Sequence, residues 1–405
     1  MERVEDKKIG LWKNKNFIRL LLATMFSAPG YYIYLIGAEW LMLNLDDNRF
    51  YFGMLFIAAS VPRLIFMTYG GVLADRVNRP TIIFIAGLTR AFLGLTIFVF
   101  VYTNTITVWH LIIVACLFGI ADAFSHPATS SLIPNLVEEE QLQRANSMIQ
   151  TFAMISPILG PAAGGLLIAT TGFKGVFLIG GLMMLLASMI IRGLKLEERS
   201  HKDNQEGFWQ AFKSGVHYVK NDPFIMSVFM MAFIINFLFA GPIAIGLPIL
   251  IKDVLQGTAV HLATVESASG IGALIGTLLL VFISFKKQGK LVITSLAISG
   301  ILIITLGLST KVATVVILFV LMGIILQFVN IPIMTLLQKN VEKDMLGRMM
   351  SLLMTVSTGL IPISFLVTST LVSMAISIQL IMLISGIIIL FISLLQFNNK
   401  VLKTI

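Results

Sequence analysis

Gly70-Gly71-Val72-Leu73-Ala74-Asp75-Arg76-Val77-Asn78-Arg79-Pro80 is a short charged stretch between two long apolar runs, 50–70 and 81–103. Each flanking run matches the roughly 20 residues that a helix needs to cross bilayer hydrocarbon. A stretch this brief can only be the elbow between two membrane helices. Turning the chain needs no ions, so an acid followed by two arginines asks for a further reason. Asn is second only to Gly at left-handed backbone positions, and Asn78 is expected to adopt one.

Composition supports the membrane reading independently. Of 405 residues, 57 % are hydrophobic and 12 % charged, and the mean hydropathy is +0.93. A soluble domain of that length must present a polar exterior. Twelve spans are legible: 17–44, 50–70, 81–103, 107–133, 142–169, 175–192, 223–250, 260–285, 291–309, 312–337, 348–372 and 375–397. The first is too long for a cleavable leader and is expected to insert as a helix. One cysteine, Cys116, excludes disulfides and thiolate metal clusters.

The net charge of +9 does not imply a nucleic-acid partner, because its distribution follows topology. With the N-terminus inside, all but six of the 29 Lys and Arg fall on the cytoplasmic side. Arg49, Lys174, Lys252 and Lys311 fall outside, and Arg63 and Arg90 fall within spans. This asymmetry is the positive-inside rule, and it puts both termini in the cytoplasm of a bacterial-type plasma membrane.

The chain divides into similar halves. Residues 1–192 and 223–405 each hold six spans, and 193–222 is a polar linker whose part from Phe208 to Tyr218 has the aromatic spacing of an interfacial amphipathic helix. Val137-Glu138-Glu139-Glu140-Gln141-Leu142-Gln143-Arg144 parallels Val341-Glu342-Lys343-Asp344-Met345-Leu346-Gly347-Arg348, 204 residues later. Repeated halves are a recurrent transporter design.

The opening stretch resembles the G-x-x-x-D-R-x-G-R-[KR] signature of the major facilitator superfamily of secondary transporters. Gly71, Asp75, Arg76 and Arg79 match it; Asn78 replaces a glycine and Pro80 the last basic residue. The resemblance implies an all-α membrane protein with twelve transmembrane helices in two pseudo-symmetric six-helix bundles. It also implies that Asp75 faces the start of the eleventh helix beside Arg348, where a helix dipole favours an acid, as part of a cytoplasmic gate.

Gly160-Pro161-Ala162-Ala163-Gly164-Gly165 is similar to the core of the antiporter motif of drug exporters, with Ser156 in place of an earlier glycine. Small residues there also let helices pack closely, so packing and gating stand together as readings. Ser125-His126-Pro127-Ala128, Ile133-Pro134-Asn135-Leu136-Val137 and Arg144-Ala145-Asn146-Ser147 resemble the branch that holds macrolide-efflux and enterobactin-export proteins. Ala115 stands where many of the family's antiporters carry an arginine.

Five ionisable residues lie well inside spans: Glu39, Arg63, Arg90, Asp122 and Glu266. Each costs about 2.5–3.5 kcal/mol at mid-helix on insertion scales, so placement against lipid is disfavoured. Arg63, Arg90 and Asp122 share a depth roughly 10–15 Å above the cytoplasmic boundary, which allows an Arg–Asp–Arg cluster. That cluster reads either as a structural ion pair or as a group that titrates in a transport cycle.

Glu39 and Glu266 lie in the outer thirds of their spans. Ala28, Tyr32, Leu35 and Glu39 share a helical stripe, flanked by Tyr31, Tyr34 and Trp40. A carboxylate among aromatics suits a cationic amphiphile or a proton. Asn236, Gln327 and Asn330 are further candidates for a polar cavity, or for helix–helix hydrogen bonds.

These observations and the resemblance lead to an expected function: proton-coupled export of amphiphilic small molecules by a monomer. A dedicated exporter of one siderophore, peptide or lipid is the alternative, and a non-transporting receptor the distant one. An enzyme is not expected, because His110, His126, His201, His217 and His261 have no metal-ligand spacing, and ATP-driven pumping is not expected, because no phosphate-binding loop is present. No cofactor is expected.

Overall fold

In hydrocarbon every backbone N–H and C=O must find its partner within the segment or an adjoining one, so apolar runs of this length become helices. The structure, a computed structural model, describes residues 11–194, 219, 222–283, 285, 287–341 and 343–397, without the side chains of 68, 72, 74–76, 223, 343–344, 348 and 351. The interfacial helix expected from Phe208 to Tyr218 lies outside the described residues.

The described elements are helical throughout. They are α1 (Lys15–Leu45), α2 (Arg49–Arg76), α3 (Arg79–Tyr102), α4 (Val108–Leu132) and the run Leu142–Arg192, followed by α7 (Phe224–Val254), α8 (Ala259–Phe282), α9 (Gln288–Gly307), α10 (Val312–Asn340), α11 (Lys343–Ser373) and α12 (Ile378–Gln396). Among the described residues eleven runs are long and apolar enough to span a membrane. The run Leu142–Arg192 is two spans, α5 (142–171) and α6 (173–192), because Gly172 has φ 69° and ψ −167°, a conformation open to a residue without Cβ.

Helix starts are set by side chains that accept the orphan N–H groups of a first turn. Asn14 accepts from the N–H of Asn16 and Phe17 before α1. Asp222 accepts from Phe224 and Ile225 at α7, and Ser377 from Leu380 at α12. Two of the histidines act here: Nδ1 of His110 accepts the Thr107 N–H, and Nδ1 of His261 the Thr258 N–H. Within spans, hydroxyls turn inward on their own helix. Thr24, Ser60, Thr96, Thr129, Ser188 and Thr305 each donate to the carbonyl four residues earlier.

The opening stretch is less of a loop than expected. Helix α2 continues through Asp75 and Arg76, and only Val77 and Asn78 separate it from α3. Asn78 is not left-handed: it has φ −54° and ψ 115° and precedes a helix with Pro80 in its first turn. Proline's fixed φ suits a helix start, so the turn is made by entering α3 rather than by reversing handedness. Among the described residues the left-handed non-glycine positions are Asn104, Gln256 and Ala375, each in a tight connection after α3, α7 or α11.

Contacts group the chain into two compact units, Met1–Ala38 with Val61–Ser200, and Glu39–Ser60 with His201–Ile405. In the first, a core of Phe17, Leu20, Ile83, Leu132, Ala145 and Ile191 joins α1 and α3–α6. In the second, Ile225, Met231, Ile293, Leu296, Leu337 and Met349 join α7 and α9–α11.

Candidate functional site

The second unit contains a pair of acids. Glu39, on the last third of α1, is 4 % exposed. Glu266, half-buried on α8, brings its carboxyl close to that of Glu39. Oε2 of Glu39 meets no donor, and neither acid has an ion-pair partner among the described residues. An ionised carboxylate only accepts hydrogen bonds. Two ionised carboxyls this close would repel without a counter-ion, and sharing a proton relieves that repulsion. The spans' hydropathy gave no sign that these acids meet, since the rotation of each helix is invisible in it.

The first unit brings three other expected residues together. Asp122 on α4 lies between two arginines: its Oδ2 is 3.2 Å from Nη1 of Arg63 on α2, and its Oδ1 accepts from Nη1 of Arg90 on α3 at 3.1 Å. Arg90 Nη2 also donates to Ser125 Oγ at 3.3 Å. All three residues sit near the middle of their helices.

The tyrosines of α1 make aromatic contacts within the first unit. Tyr34 stacks on Phe118 with centroids 4.5 Å apart and meets Phe177 edge-on at 5.7 Å, while Tyr31 packs against Tyr32 and Phe118. These rings tie α1 to α4 and α6. The glycine-rich stretch of α5 is a close-approach surface for the same helix. A Cβ on Gly160 would lie 2.4 Å from Cβ of Tyr32, and one on Gly164 would lie 2.3 Å from Cγ2 of Ile36. Pro161 and Gly165 are buried with them.

Other expected residues scatter. Asn236 lies in a π turn of α7 (Ile235–Phe239) and donates to Ala232 O of its own helix. Gln327 is half-buried on α10, and Asn330 is exposed. In the opening stretch, a Cβ on Gly71 would meet nothing within 4 Å, whereas one on Gly70 would lie 2.3 Å from Ala123 O; Gly70 is therefore the glycine that lets α2 approach α4. Arg79 begins α3, its Nε buried without a hydrogen-bond partner. The side chains of Asp75, Arg76 and Arg348 lie outside the described part of the structure.

One constellation was read from the sequence only as topology. Arg49 is 14 % exposed and grips both oxygens of Asp253, Nε and Nη2 each donating at 2.8 Å. Its Nη1 also donates to Leu43 O and Asp46 O, and Lys252 bonds Leu43 O. Charge counting treats Arg49 and Lys252 as loop residues; the signal that could have separated them is Asp253, an acid beside a basic residue at a span end.

The family model described as Major Facilitator Superfamily matches residues 20–365. Macrolide efflux protein A of Streptococcus pyogenes is 28 % identical over 315 residues, covering 76 % of this chain and 77 % of that protein. The staphyloferrin A transporter of Staphylococcus aureus is 25 % identical over 350 residues, covering 84 % and 85 %. Among solved structures, the nucleoside transporter NupG aligns with a TM-score of 0.73 at 13 % identity, over 94 % of this chain and 99 % of that one. At that identity the likeness concerns the fold.

Proposed function

The chain belongs to the Major Facilitator Superfamily, and from that premise we propose that it is a secondary active exporter of amphiphilic small molecules, coupled to protons through Glu39 and Glu266. It is an all-α, multi-pass membrane transporter with the major facilitator fold, and not an enzyme. The observation that carries the coupling is the carboxyl pair: two neighbouring acids, one buried and one half-buried, with no ion-pair partner among the described residues, change their charge only by taking up or giving up protons. Alternating access then lets the pair load on one side of the membrane and unload on the other.

Likeness to macrolide efflux protein A supports the outward direction and the amphiphilic cargo. In this reading residues 1–192 and 223–405 are the two six-helix halves, 193–222 is a cytoplasmic linker, both termini are cytoplasmic, and the chain works as a monomer in the plasma membrane. The second reading keeps the transporter and narrows its cargo to one metabolite; likeness to the staphyloferrin A transporter supports it.

The deciding experiment is transport in proteoliposomes under an imposed pH gradient. Gradient-driven flux is expected for wild type and lost in Glu39→Gln and in Glu266→Gln. Undiminished gradient-driven flux in both variants would remove the carboxyl pair from the coupling. A flux that responds to one solute only, across a panel of macrolides, lipophilic ions and siderophores, would favour the dedicated exporter.

A further inference from the structure

The first unit holds more positive than negative charge at mid-membrane depth. Across residues 11–38, 61–74, 79–137 and 142–192 the only acid is Asp122. It faces two guanidinium groups, Arg63 and Arg90. Both of its oxygens are engaged, so among the described residues one positive charge is left without a counter-ion.

A structural ion pair needs one arginine. The second arginine, its charge uncompensated, is disfavoured in hydrocarbon unless something negative visits it. The site is also open: the Arg63 side chain is 38 % exposed, although its Nε is buried and has no hydrogen-bond partner. At this depth the open face of a charged side chain belongs on water or a ligand, since lipid tails offer it no acceptor.

Beside Arg90 lies a cavity of about 70 Å³, lined also by Thr24, Ser27, Ser125, Thr129 and Ser188. The hydroxyls of Thr24, Thr129 and Ser188 already donate to their own helices. The cavity reaches Arg90 and not Arg63, and within its lining the Arg90 guanidinium is the charged donor, with a fork geometry that matches an oxyanion.

We propose that Arg63 and Arg90, held apart and oriented by Asp122, form a binding site for the carboxylate or similar oxyanion of an acidic amphiphile. The inference rests on the reading of the chain as an exporter of amphiphiles and names the class of cargo. Asp122 is a positioning residue here: it spreads the two forks and prevents a net charge of two from accumulating.

The test is binding without any gradient, on the full chain purified in an uncharged maltoside detergent. Three fluorescent probes with the same dansyl-octyl body end in a carboxylate, a methyl ester or a trimethylammonium group, and their affinities are read by anisotropy. The carboxylate probe is expected to bind at least about tenfold more tightly than the other two. Arg63→Gln and Arg90→Gln are each expected to erase that difference, and Arg63→Lys to keep part of it.

Equal affinities for the three probes would overturn the proposal. So would an undiminished preference in both glutamine variants, or full displacement of the carboxylate probe by inorganic phosphate at concentrations near the probe's own Kd, which would mark a site for free inorganic anions. If Arg90→Gln does not fold, the partly exposed Arg63→Gln variant decides alone. Because no pH gradient is used, failure here leaves gradient-driven export standing, and failure of export leaves this binding measurable.

Discussion

Glu39 on α1 and Glu266 on α8 bring their carboxyl groups close together with no ion-pair partner among the described residues. The pair makes a distinction between binding a proton and merely filling space. Glu266→Lys replaces the shared proton with a permanent ion pair to Glu39, which satisfies the buried charge. This variant should fold and melt near the wild-type temperature, and its gradient-driven flux should fall to that of empty liposomes. A Glu266→Lys variant that still couples flux to the gradient would show that the proton travels elsewhere.

The Arg49–Asp253 clamp joins the start of α2 to the end of α7 within one compact unit. Removing either partner strands the other in a partly buried place. Arg49→Ala and Asp253→Ala should each lower stability by about 1–3 kcal/mol. The double variant should lose less than the sum of the two, because the coupling is counted in both singles. Thermal unfolding of the four proteins in detergent measures this.

Gly164 and Gly71 make a matched pair of substitutions. A Cβ at 164 runs into Ile36 and the backbone of α1, whereas one at 71 meets nothing. Gly164→Ala should cost about 1–3 kcal/mol through overpacking. Gly71→Ala, inside α2, should be neutral or gain up to about 1 kcal/mol from helix propensity. Equal effects would mean that α5 and α1 are not in the contact described.

Ala375 takes a left-handed conformation with φ 63° in the turn between α11 and α12. Its Cβ gains nothing there and costs about 1–2 kcal/mol of backbone strain. Ala375→Gly should return about 1 kcal/mol, offset in part by the greater freedom of glycine in the unfolded chain. A small rise in melting temperature is the expected result, and a fall of several degrees would contradict the turn geometry.

The spans were legible because burial in lipid writes one rule over every residue of a long run. The break at Gly172 fell where the hydropathy of 142–169 and 175–192 already left a gap. The meeting of Arg63, Asp122 and Arg90 was legible for a related reason: three charges at one depth have few places to go except toward one another.

The Glu39–Glu266 contact was not legible, since two carboxyls give no reason to expect attraction and hydropathy does not set helix rotation. Tyr31 and Tyr34 flank the stripe that carries Glu39, and nothing in that spacing announced their packing on Phe118, or that of Tyr34 on Phe177, from neighbouring helices. Asn78 carried a turn signal that the proline two residues later answered in another way. Arg49 looked like a topological marker because a sum over loops cannot see a partner 204 residues away.

The hydroxyls that donate to their own helix four residues back have a consequence for how cargo can change. To any solute beside it, such a Ser or Thr has no donor left to offer and keeps only the lone pairs of its oxygen. The vocabulary with which this protein can address a solute is thus much smaller than its polar residue count, and it narrows to a few acids and arginines. Exchanging one of those few would redirect the transporter more than rewriting many hydroxyls, so relatives with very different cargoes can share nearly the same helical scaffold.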